Sequence, residues 1–161
     1  MKSQVPKVLH RIAGFALIER VIRTADALAP ASITLVVGHG AEEVQQSLNS
    51  RPTLQFVVQE QQLGTGHALL QARPLLEGKS GVVVLLSGDV PLLTSNTLRS
   101  LIDTHLQTQA AATVVTAEMP RPFGYGRIVR TNGRISRIVE ERDASPTQRD
   151  RKSTRLNSSH Q

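Results

Sequence analysis

The sequence predicts an α/β fold built on a mostly parallel, doubly wound sheet, and three observations carry that prediction. Apolar runs of strand length alternate with stretches of helical spacing through most of the chain, the pattern of right-handed strand–helix–strand crossovers. One run, Val82 to Leu86, contains no polar residue, as expected of a strand covered on both faces. It is followed by Ser87-Gly88-Asp89, which puts a first charge just outside the carboxyl end of a strand, where open α/β sheets bind ligands.

Each element follows from its residues. Pro6 pushes Val5 to an extended conformation, and Lys7 follows at once. Ile12, Phe15, Ile18, Val21, Ile22, Ala25 and Leu28 recur at helical spacing and predict an amphipathic helix ending near Pro30. Ile33 to Val37 reads as a strand, Gly38-His39-Gly40 as its exit, and Glu42 to Leu48 as a helix. Pro52 breaks the chain before a second strand, Leu54 to Val58. The loop from Gln59 to His67 leads into a helix over Ala68 to Leu76, and the central strand Val82 to Leu86 comes next. A helix over Ser95 to Leu106 has Thr94 or Ser95 as its N-cap. Ala112 to Ala117 reads as a further strand, and Arg127–Arg130 and Ile135–Glu140 flank Asn132-Gly133, a dipeptide suited to a tight hairpin. With no repeat and no linker, residues 1–149 are expected to form one Rossmann-like domain with a hairpin near its end. Residues 150–161 show no periodicity and little to bury, and are expected to be disordered. Asp150 to His160 also matches a translated short-read sequencing adapter, and the tail is assigned no function.

Composition narrows the function classes. The chain has no cysteine, which excludes disulfides and cysteine metal sites and makes the cytoplasm the expected location. No apolar run is long enough to span a membrane, and the first residues lack the apolar core of a signal peptide. Of the net +6, residues 1–149 carry 16 bases against 12 acids. With only one tyrosine, three phenylalanines and no tryptophan, that mild excess suits an anionic small molecule at least as well as a nucleic acid.

Several residues are candidates for chemistry. Asp89 is placed to hold a divalent cation on a phosphate, or to cap the helix that follows. Gly64-Thr65-Gly66 opens a helix and lets a ligand approach the backbone, while Gln59 offers a donor and an acceptor suited to a base edge. The same loop also reads as a plain turn with Thr65 as N-cap. Lys7, after a rigid proline, is either a phosphate ligand or a solvated surface cation. Gly126 and Glu140, on either side of the hairpin, can offer backbone and carboxylate contacts to a sugar, or simply be solvated. His10, His39 and His67 form no zinc pattern and read as structural or exposed. No serine sits in a nucleophile elbow.

Taken together, Pro6-Lys7-Val8-Leu9-His10, Val37-Gly38-His39-Gly40, Gln59 with Gln62 to Ala68, Gly88-Asp89-Val90-Pro91, Gly124-Tyr125-Gly126-Arg127 and Ile138-Val139-Glu140 resemble the sugar nucleotidyltransferases. Within them the resemblance is strongest to the uridylyltransferase domain of the bifunctional N-acetylglucosamine-1-phosphate uridylyltransferase / glucosamine-1-phosphate N-acetyltransferases. The resemblance implies the nucleotide-diphospho-sugar transferase fold and a reaction of UTP with N-acetylglucosamine 1-phosphate, giving UDP-N-acetylglucosamine, a cell-envelope precursor, and pyrophosphate. It implies that Lys7 contacts phosphate, that Gln59, Gly64 and Thr65 recognise the uracil, and that Asp89 holds Mg2+ with Ser87 and Gly88 lining the site. Gly126 and Glu140 would bind the amino sugar. Positioning and charge neutralisation would then supply the catalysis without a covalent intermediate.

The departures from the family set further expectations. The family's first strand and glycine-rich, arginine-bearing phosphate loop have no counterpart here, nor do a downstream sugar-binding asparagine, a second metal-ligating asparagine and a β-helical acetyltransferase domain. Ser87 stands where some relatives are expected to carry a larger residue such as tyrosine. The chain is therefore expected to be an enzyme fragment, inactive by itself, from a parent that is a homo-oligomer through its missing C-terminal domain. The rival readings are a CTP-dependent or other nucleotidyltransferase, and a non-catalytic α/β binding domain. A nucleic-acid-binding module is disfavoured, and no membrane partner is expected.

Overall fold

The chain divides at Arg99/Ser100 into two units, and the structure, a computed structural model, describes residues 5–132, 134–149 and 153–155. In the first unit, Pro6 leads into a single 3-10 turn, Lys7–Leu9. A short antiparallel hairpin follows, β1 (Arg11–Ile12) with β2 (Phe15–Ala16). Its turn, Ala13-Gly14, has positive φ at both residues, 49° and 83°, the geometry that matches strand twist in two-residue hairpins. This corrects the expected helix from Ile12. Helix α1 begins only at Leu17 and ends at Asp26, and its start is secured by Glu19, whose carboxylate accepts from the Ala16 N–H at 2.8 Å. Phe15, expected on the helix face, instead lies under Arg23, with the guanidinium carbon 3.9 Å from the ring centroid.

Strand β3 (Ile33–Val37) and strand β4 (Leu54–Val58) form a parallel ladder in register, Ile33 opposite Leu54 through Val37 opposite Val58. Helix α2 (Ala41–Ser47) makes the crossover between them. Ala16, Ile18 and Ile22 from the α1 side, Val44 and Leu48 from α2, and Val37 and Leu54 from the ladder form the core, with Val8 and Leu9 packed against it. The single helix expected over Ala68–Leu76 is two pieces, α3 (Thr65–Gln71) and α4 (Arg73–Leu76). Pro74 lies in the first turn of the second piece. It has no N–H for the preceding turn, and its ring would meet the carbonyl four residues back.

Val82–Leu86 forms no ladder with any described strand, against the expectation of a central strand. Val82, Val83 and Leu85 are 40, 57 and 48% exposed. An apolar run specifies what a strand buries, but the hydrogen bonds that define it must come from a neighbour. Helix α5 (Ser95–Thr108) follows, capped by Thr94, whose Oγ1 accepts from the Thr97 N–H at 3.2 Å. Its first residues are tied into the first unit by Arg99, which donates to Ala27 O at 2.8 Å.

The described strands of the second unit, β5 (Thr116–Glu118), β6 (Arg127–Thr131), β7 (Arg134–Val139) and β8 (Ser153–Arg155), form an antiparallel sheet in the order β5-β8-β6-β7. Strand β5 is Thr116–Glu118 rather than Ala112–Ala117. Strands β6 (Arg127–Thr131) and β7 (Arg134–Val139) form the expected hairpin, with Asn132 at φ 51° and a register shift at Val129/Arg130. Gly133 lies outside the described residues. A short helix, α6 (Pro146–Arg149), precedes β8 (Ser153–Arg155). β8 corrects the expectation of a wholly unstructured tail for these three residues. β5 and β6 each present an edge, and Ser153–Arg155 pairs with both. The remaining tail residues lie outside the described ones. No helix among the described residues is long and apolar enough to cross a membrane.

Candidate nucleotide site

Lys7 and Asp89, 82 residues apart, meet: Lys7 Nζ donates to Asp89 Oδ2 at 2.7 Å. The backbone around each explains the meeting. Val8 and Leu9 pack onto the core, so the 3-10 turn is held by its apolar side and leaves Lys7 reaching outward, its side chain 71% exposed. Pro6, before it, sits against Gly40, where a Cβ would lie 2.4 Å from the proline Cγ. On the other side, Gly88 lies against α1 and the turn. A Cβ there would come within 2.9 Å of Ile18 Cδ1 and 3.2 Å of Val8 Cγ1. Gly88 thus lets the Ser87–Asp89 corner pack down on the core, and Val90 N–H closes the corner onto Ser87 O at 3.3 Å. An ion pair with so exposed a partner adds at most about 1 kcal/mol to stability. Its importance is positional: one ammonium and one carboxylate at one point. Asp89 is not the cap of α5, a role that Thr94 fills.

Among the described residues no group of three or more His, Asp or Glu side chains gathers that could hold a metal. A caged cation therefore does not fit, but Mg2+ commonly takes one or two carboxylates and completes its octahedron with waters and substrate phosphates. Asp89, its side chain 17% exposed, fits that shared mode.

Gln59 leaves β4 with its N–H on Val37 O at 2.7 Å, and is 9% exposed. Its Nε2 donates to Gly64 O at 3.3 Å and lies 2.8 Å from His67 Nδ1. Among the described residues, the side-chain hydrogen bonds of Gln59 are made by Nε2. An amide oxygen at this point is an acceptor that a ligand N–H can use. A hollow of about 280 Å³ opens beside the network, lined by Val58, Glu60, Gln61, His67 and Gln71. Thr65 is the first residue of α3, and the cap position belongs to Gly64, which makes no side-chain cap.

Gly64 has φ 96° and ψ −179°, a region open essentially to glycine alone, although a Cβ would meet nothing within 4 Å. Gly64→Ala is therefore expected to cost about 1–3 kcal/mol from backbone strain. Gly66 lies inside α3 with open space at its Cβ position, and Gly66→Ala is expected to be neutral or to stabilise by up to about 1 kcal/mol. Paired thermal melts check this, and equal losses in both variants would contradict it.

In the second unit, the hairpin register sets Arg127 opposite Val139, so Gly126 and Glu140 come together. A Cβ on Gly126 would lie 3.3 Å from Ile138 Cγ2 and 3.5 Å from Glu140 Oε2. The sequence reading missed the pair behind them. Arg127, 2% exposed, donates through Nε to Arg149 O at 3.2 Å and through Nη1 to Tyr125 O. Its Nη1 lies 3.7 Å from Glu141 Oε2, which also accepts from the Gly124 N–H. One buried cation thus holds the Gly124–Gly126 turn. Two glycines on either side of Tyr125, followed by an arginine, with two consecutive glutamates across the hairpin, are the available signal.

Residues 1–151 match the model of the MobA-like NTP transferase domain, and the chain belongs to that family. Among curated relatives it is 47% identical over 146 residues to the bifunctional protein GlmU of Streptococcus gordonii, covering 90% of this chain and 31% of that protein. It is 49% identical over 150 residues to the GlmU of Nostoc sp., covering 92% and 33%. The chain thus spans about a third of the length of these relatives. Among solved structures it superposes on a UDP-glucose pyrophosphorylase complexed with UDP-glucose at a TM-score of 0.69 and 18% identity, over 94% of this chain and 66% of that one. An apo UDP-glucose pyrophosphorylase gives 0.64 at 17% identity, over 94% and 67%. The fold is that of the nucleotide-diphospho-sugar transferases.

Proposed function

We propose that the chain carries the nucleotide-binding part of a UDP-N-acetylglucosamine pyrophosphorylase, which joins UTP and N-acetylglucosamine 1-phosphate with release of pyrophosphate. The observation that carries the reading is the 2.7 Å contact of Lys7 with Asp89, an ammonium able to meet a phosphate beside a carboxylate able to meet a cation. In this reading Lys7 passes from Asp89 to a phosphate oxygen when nucleotide binds. Asp89 then faces Mg2+, which when bound neutralises phosphate charge, while Ser87 and Gly88 line the corner. Gln59, Gly64 and Thr65 take the uracil, and Gly126 and Glu140 take the amino sugar. The relatives named GlmU support this assignment.

For these 161 residues alone the reading is binding without measurable pyrophosphate release. One ammonium, with Mg2+ facing one carboxylate, would orient a triphosphate but supply only part of the neutralisation that phosphoryl transfer needs. Lys7→Ala and Asp89→Asn are each expected to weaken binding of UTP with Mg2+ by roughly ten-fold or more, with thermal melts unchanged. Calorimetric titration measures this, beside a pyrophosphate assay with both substrates. Unchanged affinity in both variants, or turnover by the unmodified chain, would count against the respective part of the proposal.

A further inference from the structure

A residue at the exit of a strand is ordinarily placed by that strand's ladder, but Val82–Leu86 forms no ladder with a described strand. The Ser87–Asp89 corner rests instead on side chains. A Cβ at Gly88 would lie 2.9 Å from Ile18 Cδ1, 3.2 Å from Val8 Cγ1 and 3.9 Å from Val8 Cβ. Gly88 is not among the glycines with positive φ, so it is the space, and not the backbone conformation, that calls for glycine here. Ile18 is 6% exposed and belongs to the core cluster with Ile22 and Val37, so its end carbon has little room to withdraw. Each charge stands one residue from this contact. Lys7 precedes Val8, Asp89 follows Gly88, and Lys7 Nζ meets Asp89 Oδ2 at 2.7 Å.

We propose that Ile18 is a positioning residue for Asp89: the reach of its side chain fixes how far Gly88 settles beside Val8, and so sets the spacing of carboxylate and ammonium. This rests on the reading above that Lys7 and Asp89 meet one nucleotide with Mg2+. Ile18 touches no ligand in that reading and acts only through the backbone of Gly88. A methyl group added at Gly88 lifts the corner off α1 and carries Asp89 away from Lys7. Shortening Ile18 to valine removes the Cδ1 that the methyl group would meet, and the corner settles again. Val8 is only partly buried and gives the remaining few tenths of an ångström.

The experiment titrates the full chain with UTP and Mg2+ as the unmodified protein, Gly88→Ala, Ile18→Val and the double variant, with thermal melts beside each. Gly88→Ala is expected to bind at least about ten-fold more weakly, and Ile18→Val about three-fold more weakly. The double variant is expected to bind within about three-fold of the unmodified chain. If it binds no more tightly than Gly88→Ala, the proposal is overturned, because Gly88 then acts by facing the ligand and not by resting on Ile18. Unchanged binding in Gly88→Ala would overturn it as well. If the unmodified chain binds no UTP, the function proposed above fails, and the 13C resonance of the Asp89 carboxylate in the ligand-free chain decides the positioning role. Removing the ammonium with Lys7→Ala should move that resonance in the unmodified background, leave it in place in Gly88→Ala, and move it again in the double variant. An equal response in all three backgrounds would overturn the proposal. If Gly88→Ala does not fold, the same response is read in Ile18→Val, where it should shrink, and a response of unmodified size overturns the proposal.

Discussion

Gly40→Ala is expected to be among the most damaging single substitutions in the first unit, lowering stability by about 3 kcal/mol or more. Two costs coincide. Gly40 precedes α2 at φ 71° and ψ 28°, where a side chain is strained. Its Cβ would also fall 2.4 Å from Pro6 Cγ, and a proline ring has no rotamer that clears the space. The backbone would have to part from Pro6, and Lys7 is the next residue. The variant should therefore show a lower melting temperature together with weaker UTP binding, whereas Gly14→Ala, with open space at its Cβ position, should show only the strain of a positive φ. Circular dichroism melts compare the two, and a Gly40→Ala melt no worse than that of Gly14→Ala would show that Pro6 does not depend on this packing.

Arg127→Ala is expected to cost about 3–5 kcal/mol in the second unit, as removal of one partner from a buried ion pair does. The substitution strips donors from Tyr125 O and Arg149 O and leaves the Glu141 carboxylate, 20% exposed, without its cation. Tyr125 is the chain's single tyrosine and there is no tryptophan, so its fluorescence reports on this turn directly. Urea unfolding followed at Tyr125 should shift its midpoint markedly downward in Arg127→Ala. A midpoint equal to that of the unmodified chain would mean that Arg127 does not anchor the turn.

How far the fold could be read depended on whether an element's limits are written locally. β3 and β4 match their apolar runs residue for residue because Pro30, Gly38, Pro52 and Gln59 punctuate them. The start of α1 did not, since Ile12 and Phe15 sit at helical spacing, yet Ala13-Gly14 turns the chain into a hairpin. Val82–Leu86 has the composition of a buried strand, but composition does not name the neighbour that must supply its hydrogen bonds. The tail shows the converse. Ser153–Arg155 has no apolar signal, and two open sheet edges recruit it.

The site was legible as separate pieces. Lys7 and Asp89 were each weak alone, and only folding places them in contact. Gly126 and Glu140 were read as two ends of a hairpin, and the register makes them neighbours. Arg127 and Glu141 were passed over because charges beside a turn are usually solvated, and nothing in the local pattern shows that this guanidinium is buried. His67 reads from its spacing as structural or exposed, and its approach to Gln59 is a contact between a strand end and a helix start that spacing alone does not reveal.

The central claim is that one ligand, a uridine nucleotide with Mg2+, is met at once by the Gln59 loop and the Asp89 corner. Titration of the 15N-labelled chain with UTP and Mg2+, followed residue by residue, tests it most directly. The account predicts that the backbone amides of Gly64, Thr65, Gly88 and Asp89 and the side-chain amide of Gln59 shift together along one saturating curve, and far less with CTP. Shifts confined to one of the two groups, or equal shifts with both nucleotides, would contradict it.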